Sequence, residues 1–358
     1  MKNFINNIFL PLAVFFTLGI TGCQAQQPNV PAIQANTIES IALKGQTMGT
    51  TYYIRYYPEV QTPVQDELVL GLKELLQQIT DQMSTYEPGS QISRFNQSRV
   101  VGKPFAVDQQ VLDVISAAQR ISNQSGGGLD VTVAPLVDLW GFGPAARGKT
   151  IPSEQEVQKV LLSTGMDKLL MTPQGLIKQM PELSVDLSAI AKGYGVDAVG
   201  RYLESLGIKN YLVEIGGEIR VRGRAGDRLW RVGIQAPNDD FSVQVQSVIE
   251  LTDISMATSG DYHNYYDEQG VRYAHTIDPR TGSPLRTPIT SISVLLPECM
   301  EADGWTTGLM VLGPEKAITL ADELEMAVYM LVKTDQGLEV RQSKAFTRIL
   351  ELQTQGKP

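Results

Sequence analysis

Histidine is almost absent from this 358-residue chain: there are two, His263 and His275, and both fall within Ile254–Pro284. Cysteine is equally scarce, with only Cys23 and Cys299. With Cys23 in an export signal, as argued below, no intrachain disulfide can form. Basic residues are outnumbered, 30 Lys and Arg against 39 Asp and Glu. The net charge of −9 excludes a groove that tracks a nucleic-acid backbone. A single phosphorylated ligand stays compatible, because glycine turns, helix starts or a metal ion hold phosphate without a basic surface. The apolar run Phe9–Ile20 is too short to span a bilayer. What is present, 42% hydrophobic and 19% charged residues, describes an ordinary globule with ample core.

Residues 1–22 read as an export signal. Lys2 supplies the positive end, Phe9–Ile20 the apolar core, and Ile20-Thr21-Gly22-Cys23 the small-residue cleavage site. A cysteine directly after such a site resembles the bacterial lipoprotein signal, which makes Cys23 the lipidated (palmitate-bearing) first residue; the alternative is a plain secretory signal. Gln24 stands where an aspartate marks inner-membrane retention, so the same resemblance implies the outer membrane, facing the periplasm. Residues 23–39, rich in Gln, Asn, Pro and Ala, form a flexible tether, and 40–350 the folded part.

Within that part, Ile41–Tyr57 reads as a bent strand or hairpin broken by Gly45 and Gly49. Thr62-Pro63 is expected to cap a helix whose Leu68, Leu72, Leu75, Leu76, Ile79 and Met83 keep helical spacing. Ser84–Ser90 is a polar turn, Asp108 caps a second helix, and Ser153 with Glu156 forms a capping box. Short strands fit Lys168–Met171, Leu176–Gln179 and Leu183–Leu187, and a helix fits Ser188–Leu206, ended by Gly207. Strands are expected near Tyr211–Ile215, Glu218–Val221, Trp230–Ile234, Val243–Leu251, Ile289–Leu296, Ala327–Val332 and Leu338–Arg341, and a helix over Ala302–Val311. Helices and strands mix without strict alternation, which predicts an α+β fold over a doubly wound sheet.

The histidine stretch reads as a loop at Thr258–Asp261, an aromatic run, a turn at Asp267–Gly270, and a strand Val271–Ile277 ended by Asp278-Pro279-Arg280-Thr281-Gly282. His, Asp and Arg gathered at a strand end form a candidate site, against the simpler reading of a hairpin with a surface turn. Three further patterns carry chemistry. Asp186–Gly193 runs from a strand into a helix, so free amides and Lys192 make an anion site, or merely a capped helix with a solvated lysine. Lys192–Ala198 mimics the dinucleotide fingerprint, but its glycines fall inside a helix; Gly193 and Gly195 instead mark close packing of another backbone. Asp303 and Thr307 share one helical face and suit a hard cation, although spacing alone favours an exposed Asp and a packed Thr. Cys299, following an apolar run, reads as a buried inert thiol.

Several ordered segments carry a family likeness. They are Gln46-Thr47-Met48-Gly49-Thr50, Ser84-Thr85-Tyr86, Gly128–Val133, Pro135-Leu136-Val137, Leu139–Gly143, Asp186–Asp197, Ala257–Tyr262, His275–Pro279 and Glu301-Ala302-Asp303. Together, over about Gln46–Gly313, the chain resembles the bacterial FAD:protein FMN transferases, once labelled thiamine-biosynthesis lipoproteins. The resemblance implies a two-lobed α+β fold of mixed and antiparallel sheets with packed helices. It further implies Mg²⁺-dependent transfer of FMN from FAD to a threonine or serine of an acceptor protein, with release of AMP. The acceptors it implies are exported proteins, redox-pump subunits among them. By matching positions, Met48, Tyr86, Gly128, Leu129, Asp130, Asp186, Lys192 and Ile277 would contact FAD, while the Ala189 carbonyl, Asp303 and Thr307 would hold Mg²⁺. Some members carry a second aspartate where this chain has Thr306. A related subset hydrolyses FAD to FMN and AMP, and a flavin-holding lipoprotein without catalysis is the third reading. For the hydroxyl's proton, His275 is the candidate base by charge range and position, with Asp278 or Asp261 as orienter.

Overall fold

The computed structural model describes residues 39–144, 151–236, 244–260, 265–268 and 271–355, all within one compact unit. Strands β1 (Ile41–Thr47) and β2 (Thr50–Tyr56) precede helices α1 (Gln65–Met83), α2 (Gln91–Gln97), α3 (Gln109–Gln124), α4 (Ala134–Leu139) and α5 (Glu154–Leu161). The hairpin β3 (Leu169–Thr172) and β4 (Gly175–Lys178) leads to α6 (Ala191–Ser205). Strands β5 (Tyr211–Ile215), β6 (Glu218–Arg222), β7 (Trp230–Ala236), β8 (Gln244–Leu251) and β9 (Ile254–Gly260) follow. Next come β10 (Tyr265–Glu268), β11 (Val271–Ala274), β12 (Ile277–Asp278), β13 (Ser283–Pro284) and β14 (Ile289–Leu296). After these lie α7 (Cys299–Leu312), α8 (Pro314–Glu323), β15 (Ala327–Thr334), β16 (Gly337–Gln342) and α9 (Lys344–Gln355).

An eight-stranded antiparallel sheet, ordered β1-β2-β5-β6-β9-β14-β15-β16, runs through the centre. Its two faces are read off β15. Val328, Met330 and Val332 point into a core with α3 and α7, whereas Ala327, Tyr329 and Leu331 meet Trp230, Ile249 and Phe346 on the other side. That alternation is the two-residue period of a strand, and cover on both faces explains why the segment reads as one apolar run. On α1 the expected stripe is buried through Leu68, Leu72, Leu76, Ile79 and Met83. Helices and antiparallel strands thus mix as the sequence predicts.

Helices α6 and α7 lie almost in backbone contact. A Cβ on Gly193 would stand 2.4 Å from the Cys299 carbonyl oxygen, so only glycine fits. The close packing expected of Gly193 is therefore real, while Gly195 makes room for the Met48 side chain instead. The start of α7 has no side-chain cap of its own; Asp197, reaching across from α6, accepts the Cys299 amide (3.0 Å) and the Met300 amide (2.9 Å). The Arg220 guanidinium binds the same carboxylate at 2.7 Å. Burial pushes Asp197 up to about 6 despite these amide and arginine contacts.

Some local expectations are corrected. Thr62 does not cap α1, which has no side-chain cap; its hydroxyl accepts the Glu59 amide. Asp108 sits at the start of α3 but spends its carboxylate on Gln82 rather than on helix amides. The Ser153–Glu156 box forms as expected. Leu183–Leu187 is not a strand: its apolar residues are buried, and Ser184 makes one parallel bridge to Val133. Thr258–Gly260 is not a loop but the end of β9, hydrogen-bonded to β14, because tertiary pairing overrides the turn preference of Thr-Ser-Gly. The expected strand Val271–Ile277 breaks into β11 and β12 at a bend over His275. Helices α2 and α9 were not foreseen.

Asp197→Ala takes the acceptor from the Cys299 and Met300 amides and one partner from Arg220, which keeps Glu298 and Glu204. Urea unfolding is expected to show a loss of about 2–4 kcal/mol, at about 1–3 kcal/mol for each unsatisfied amide; a loss below about 1 kcal/mol, typical of a surface pair, refutes the capping role.

Candidate active site at the α6–α7 seam

The tip of the first hairpin defines one wall of the site. Met48 (φ 49°) and Gly49 (φ 73°) both adopt the left-handed region, the geometry of a two-residue turn that matches strand twist. A non-glycine residue there is strained, and here its side chain is set against α6. A cavity of about 1170 Å³ lies beside it, lined by Met48, Thr80, Met83, Tyr86, Ala191 and Lys192 among others. Tyr86 sits in the polar turn after α1, where Ser84 Oγ accepts the Tyr86 and Glu87 amides. Its ring is 63% exposed and its hydroxyl donates to the Phe142 carbonyl at 3.3 Å. Burial, then Asp186 and Asp138, raise the phenol above its ordinary value, which places both carboxylates in its neighbourhood.

The charged centre is a triad of Lys192, Glu218 and Asp303. Lys192 Nζ lies 2.6 Å from Glu218 Oε1 and 3.9 Å from Asp303 Oδ1. Burial opposes the ammonium, but the two carboxylates outweigh it and hold Lys192 well above the usual lysine range. Burial pushes Glu218 up to about 8 against the pull of Lys192, and raises Asp303 as well. Asp303 is 3% exposed, so the exposed aspartate favoured by spacing alone is overturned. Nor is Lys192 a solvated cap lysine.

Several amides at the start of α6 are already engaged. Ile190 and Ala191 donate to the Leu187 carbonyl and Tyr194 to that of Ile190, while Gly193 donates to Asp303 Oδ2 at 2.9 Å. The ammonium of Lys192 is the positive group that this helix start turns toward the cavity.

Of the remaining expected contacts, Gly128 packs directly on α7. A Cβ on Gly128 would stand 2.5 Å from the Gly308 carbonyl oxygen, so the Gly128–Asp130 loop rests on α7 beside Thr307. Leu129 itself is buried in the core, which leaves only its main chain for a ligand. Asp130 accepts the Thr132 amide (2.7 Å) and hydroxyl, and burial raises its carboxyl despite them. Asp186 anchors the turn into α6 through the Ser188 amide (2.8 Å) and is tied back to Val131 by its own amide (2.7 Å). Ile190 of that turn packs beside Ile121 and Leu129 against Gly304 of α7, 3.3 Å from where a Cβ would be.

These oxygens suit a hard cation. Asp303 carboxylate, Thr307 hydroxyl and Ala189 carbonyl are the donor type Mg²⁺ takes, with waters or ligand phosphates completing six. Two carboxylates face one ammonium, and Glu218 Oε2 is buried with no hydrogen-bond partner. Both observations leave room for one more positive charge. Among the described residues no cluster of three or more His, Cys, Asp or Glu is placed to hold a metal, so the set depends on the carbonyl and hydroxyl. Thr306 is not a substitute ligand: its hydroxyl meets Ser259 Oγ and the Asp303 carbonyl, each at 2.7 Å.

The histidine segment borders a second cavity of about 590 Å³, lined by Tyr273, Asp278, Arg280 and Trp140 among others. His275 is half-buried in the bend between β11 and β12. Both Asp278 oxygens are engaged by Arg280 (2.9 and 2.8 Å), whose guanidinium also donates to the Val311 carbonyl. Asp278 thereby braces the turn against α7 through Arg280. Ile277 turns its side chain into the cluster of Leu136, Trp140 and Val157. Asp261, His263 and Cys23 lie outside the described residues.

Residues missed by sequence reasoning support the site from behind. Glu218 follows the Gly216-Gly217 turn, and a charged residue directly after such a turn at a strand start was the available signal. Lys178 donates to the Asn96 (3.1 Å) and Ser98 (2.8 Å) carbonyls that end α2. The Asn96 amide then pairs with both main-chain groups of Val185 (2.8 and 2.7 Å), the residue before Asp186. Neither has a sequence signature. Burial, then Arg99, brings Lys178 down to about 8.

A proton held less tightly in the fold makes stability rise with pH between about 8 and the ordinary lysine value of 10.5, because the unfolded chain then binds more protons. The unfolding free energy of the wild type relative to Lys178→Met is expected to increase across that window in denaturant titrations. A pH-independent difference contradicts it.

The chain matches the family described as the ApbE family over residues 48–330. It is 47% identical over 313 residues to the FAD:protein FMN transferase of Vibrio cholerae, covering 87% of this chain and 93% of that protein. The enzyme of that name from Escherichia coli is 37% identical, with 97% of this chain and 98% of the other covered. Among solved structures, the flavin transferase ApbE from Vibrio cholerae superposes with a TM-score of 0.80 at 46% identity, covering 87% of this chain and 99% of the other. The apo flavinyl transferase ApbE from Pseudomonas stutzeri gives 0.80 at 36%, covering 87% and 96%. Matched over most of its length by both sequence and fold, the chain belongs to the ApbE family.

Proposed function

We propose that this chain transfers FMN from FAD to a threonine or serine hydroxyl of an acceptor protein. The observation that carries this reading is the Lys192 ammonium, seated on two buried carboxylates at the wall of a large cavity walled by Met48 and Tyr86. FAD binds there with its pyrophosphate toward Lys192. Asp303, Thr307 and the Ala189 carbonyl would hold Mg²⁺, which would supply charge neutralisation at the phosphates. The acceptor oxygen attacks the flavin-side phosphorus, the bond from that phosphorus to the bridging oxygen breaks, and AMP leaves with that oxygen. The hydroxyl proton passes to His275. The ammonium and the buried setting strengthen charge stabilisation where it develops.

Exported redox proteins are the acceptor class, and Cys23 carries a lipid anchor that holds the domain on the periplasmic side of the outer membrane. The support is the order of apolar run, small residues, cysteine and Gln24 at the start of the chain. No helix among the described residues is long and apolar enough to cross a membrane.

Incubation with FAD, Mg²⁺ and a threonine-bearing acceptor domain is expected to leave in-gel flavin fluorescence on the acceptor; free FMN and AMP would instead mark hydrolysis, and intact FAD a passive carrier. His275→Ala is expected to lower turnover about 10²–10⁴-fold with FAD binding kept, and near-wild-type rates would remove the base. Asp303→Ala is expected to abolish the Mg²⁺-dependent rate; an unaltered metal dependence excludes it as a ligand.

A further inference from the structure

We infer that Glu218 is a positioning residue that holds the Lys192 ammonium off Asp303, keeping that carboxylate open for a divalent cation. The inference rests on reading Asp303 as a cation ligand. One ammonium lies between two buried carboxylates and has chosen one: 2.6 Å to Glu218, 3.9 Å to Asp303. The first is a hydrogen-bonded ion pair, while the second lies beyond hydrogen-bond reach. Asp303 meanwhile has one oxygen on the Gly193 amide, which leaves the oxygen that faces Lys192 without that engagement.

The placement is built into the fold. Glu218 opens β6 directly after Gly216 (φ 60°) and Gly217 (φ 103°), and its side chain is 3% exposed. The Lys192 stem passes over Gly216, its Cδ 3.4 Å from where a Cβ would be. Glu218 Oε2 has no hydrogen-bond partner, and among the described residues the ion pair of this carboxylate is with Lys192. Remove its charge and the flexible lysine has one buried carboxylate left to seek. Closing that gap by about 1 Å would form the hydrogen-bonded ion pair with Asp303, which a cation must then break before binding.

The test is Mn²⁺ binding to the full chain without FAD, read from the loss of the free-ion EPR signal. Glu218→Gln is expected to weaken Mn²⁺ about 10-fold or more, the usual effect of losing a group that orients a ligand. In the double variant Glu218→Gln/Lys192→Met, with no ammonium left to occupy Asp303, affinity is expected to return to the wild-type value or above. Lys192→Met alone is expected to bind no more weakly than wild type, which keeps the test decisive even if Glu218→Gln folds poorly. Wild-type affinity in Glu218→Gln, a double variant as weak as the single, or weaker binding in Lys192→Met overturns the proposal. Asp303→Asn separates the underlying reading: undiminished Mn²⁺ binding there removes Asp303 as a ligand, and the role of Glu218 falls with it.

Discussion

The near-contact of two helix backbones underlies the rest of the structure. Because Gly193 has no side chain, the first turn of α6 settles onto the start of α7. Asp197 and Asp303, one reaching from each helix, then cap amides on the other. Each carboxylate makes up for hydrogen bonds that a helix start cannot make internally. The same crossing sets Lys192 beside Asp303, so the packing that joins the helices also assembles the charges.

Around this crossing the sheet supplies placement more than chemistry. The β1–β2 tip brings Met48 onto α6, and the turn between β5 and β6 delivers Glu218 under the lysine. Gly128, itself lacking a side chain, meets the Gly308 carbonyl of α7, and Ile190 of the turn before α6 packs with Ile121 at Gly304.

The legible part of the sequence was the local part. Periodic stripes such as that of α1, the Ser153–Glu156 box and the alternation of β5 follow from short-range preference, and they formed. Glycines misplaced for a dinucleotide fingerprint correctly indicated packing at Gly193. What failed depended on distant partners. Thr258–Gly260 has turn composition, yet β14 completes its hydrogen bonds and Thr306 its hydroxyl. Asp303 looked exposed because nothing nearby in sequence announces Gly193 and Lys192 as its partners. Glu218 went unnoticed because its partner is a lysine on another element. The ordered family segments carried the cavity residues; the supports behind them came only with the fold.

The lone described thiol adds a last consequence. Cys299 is fully buried where α6 meets α7, and burial pushes it well above its ordinary range. Neither reagents nor oxidants reach a thiolate there while the helices stay together. Its slow alkylation therefore acts as a clock for their separation, a native probe of how often the crossing breathes.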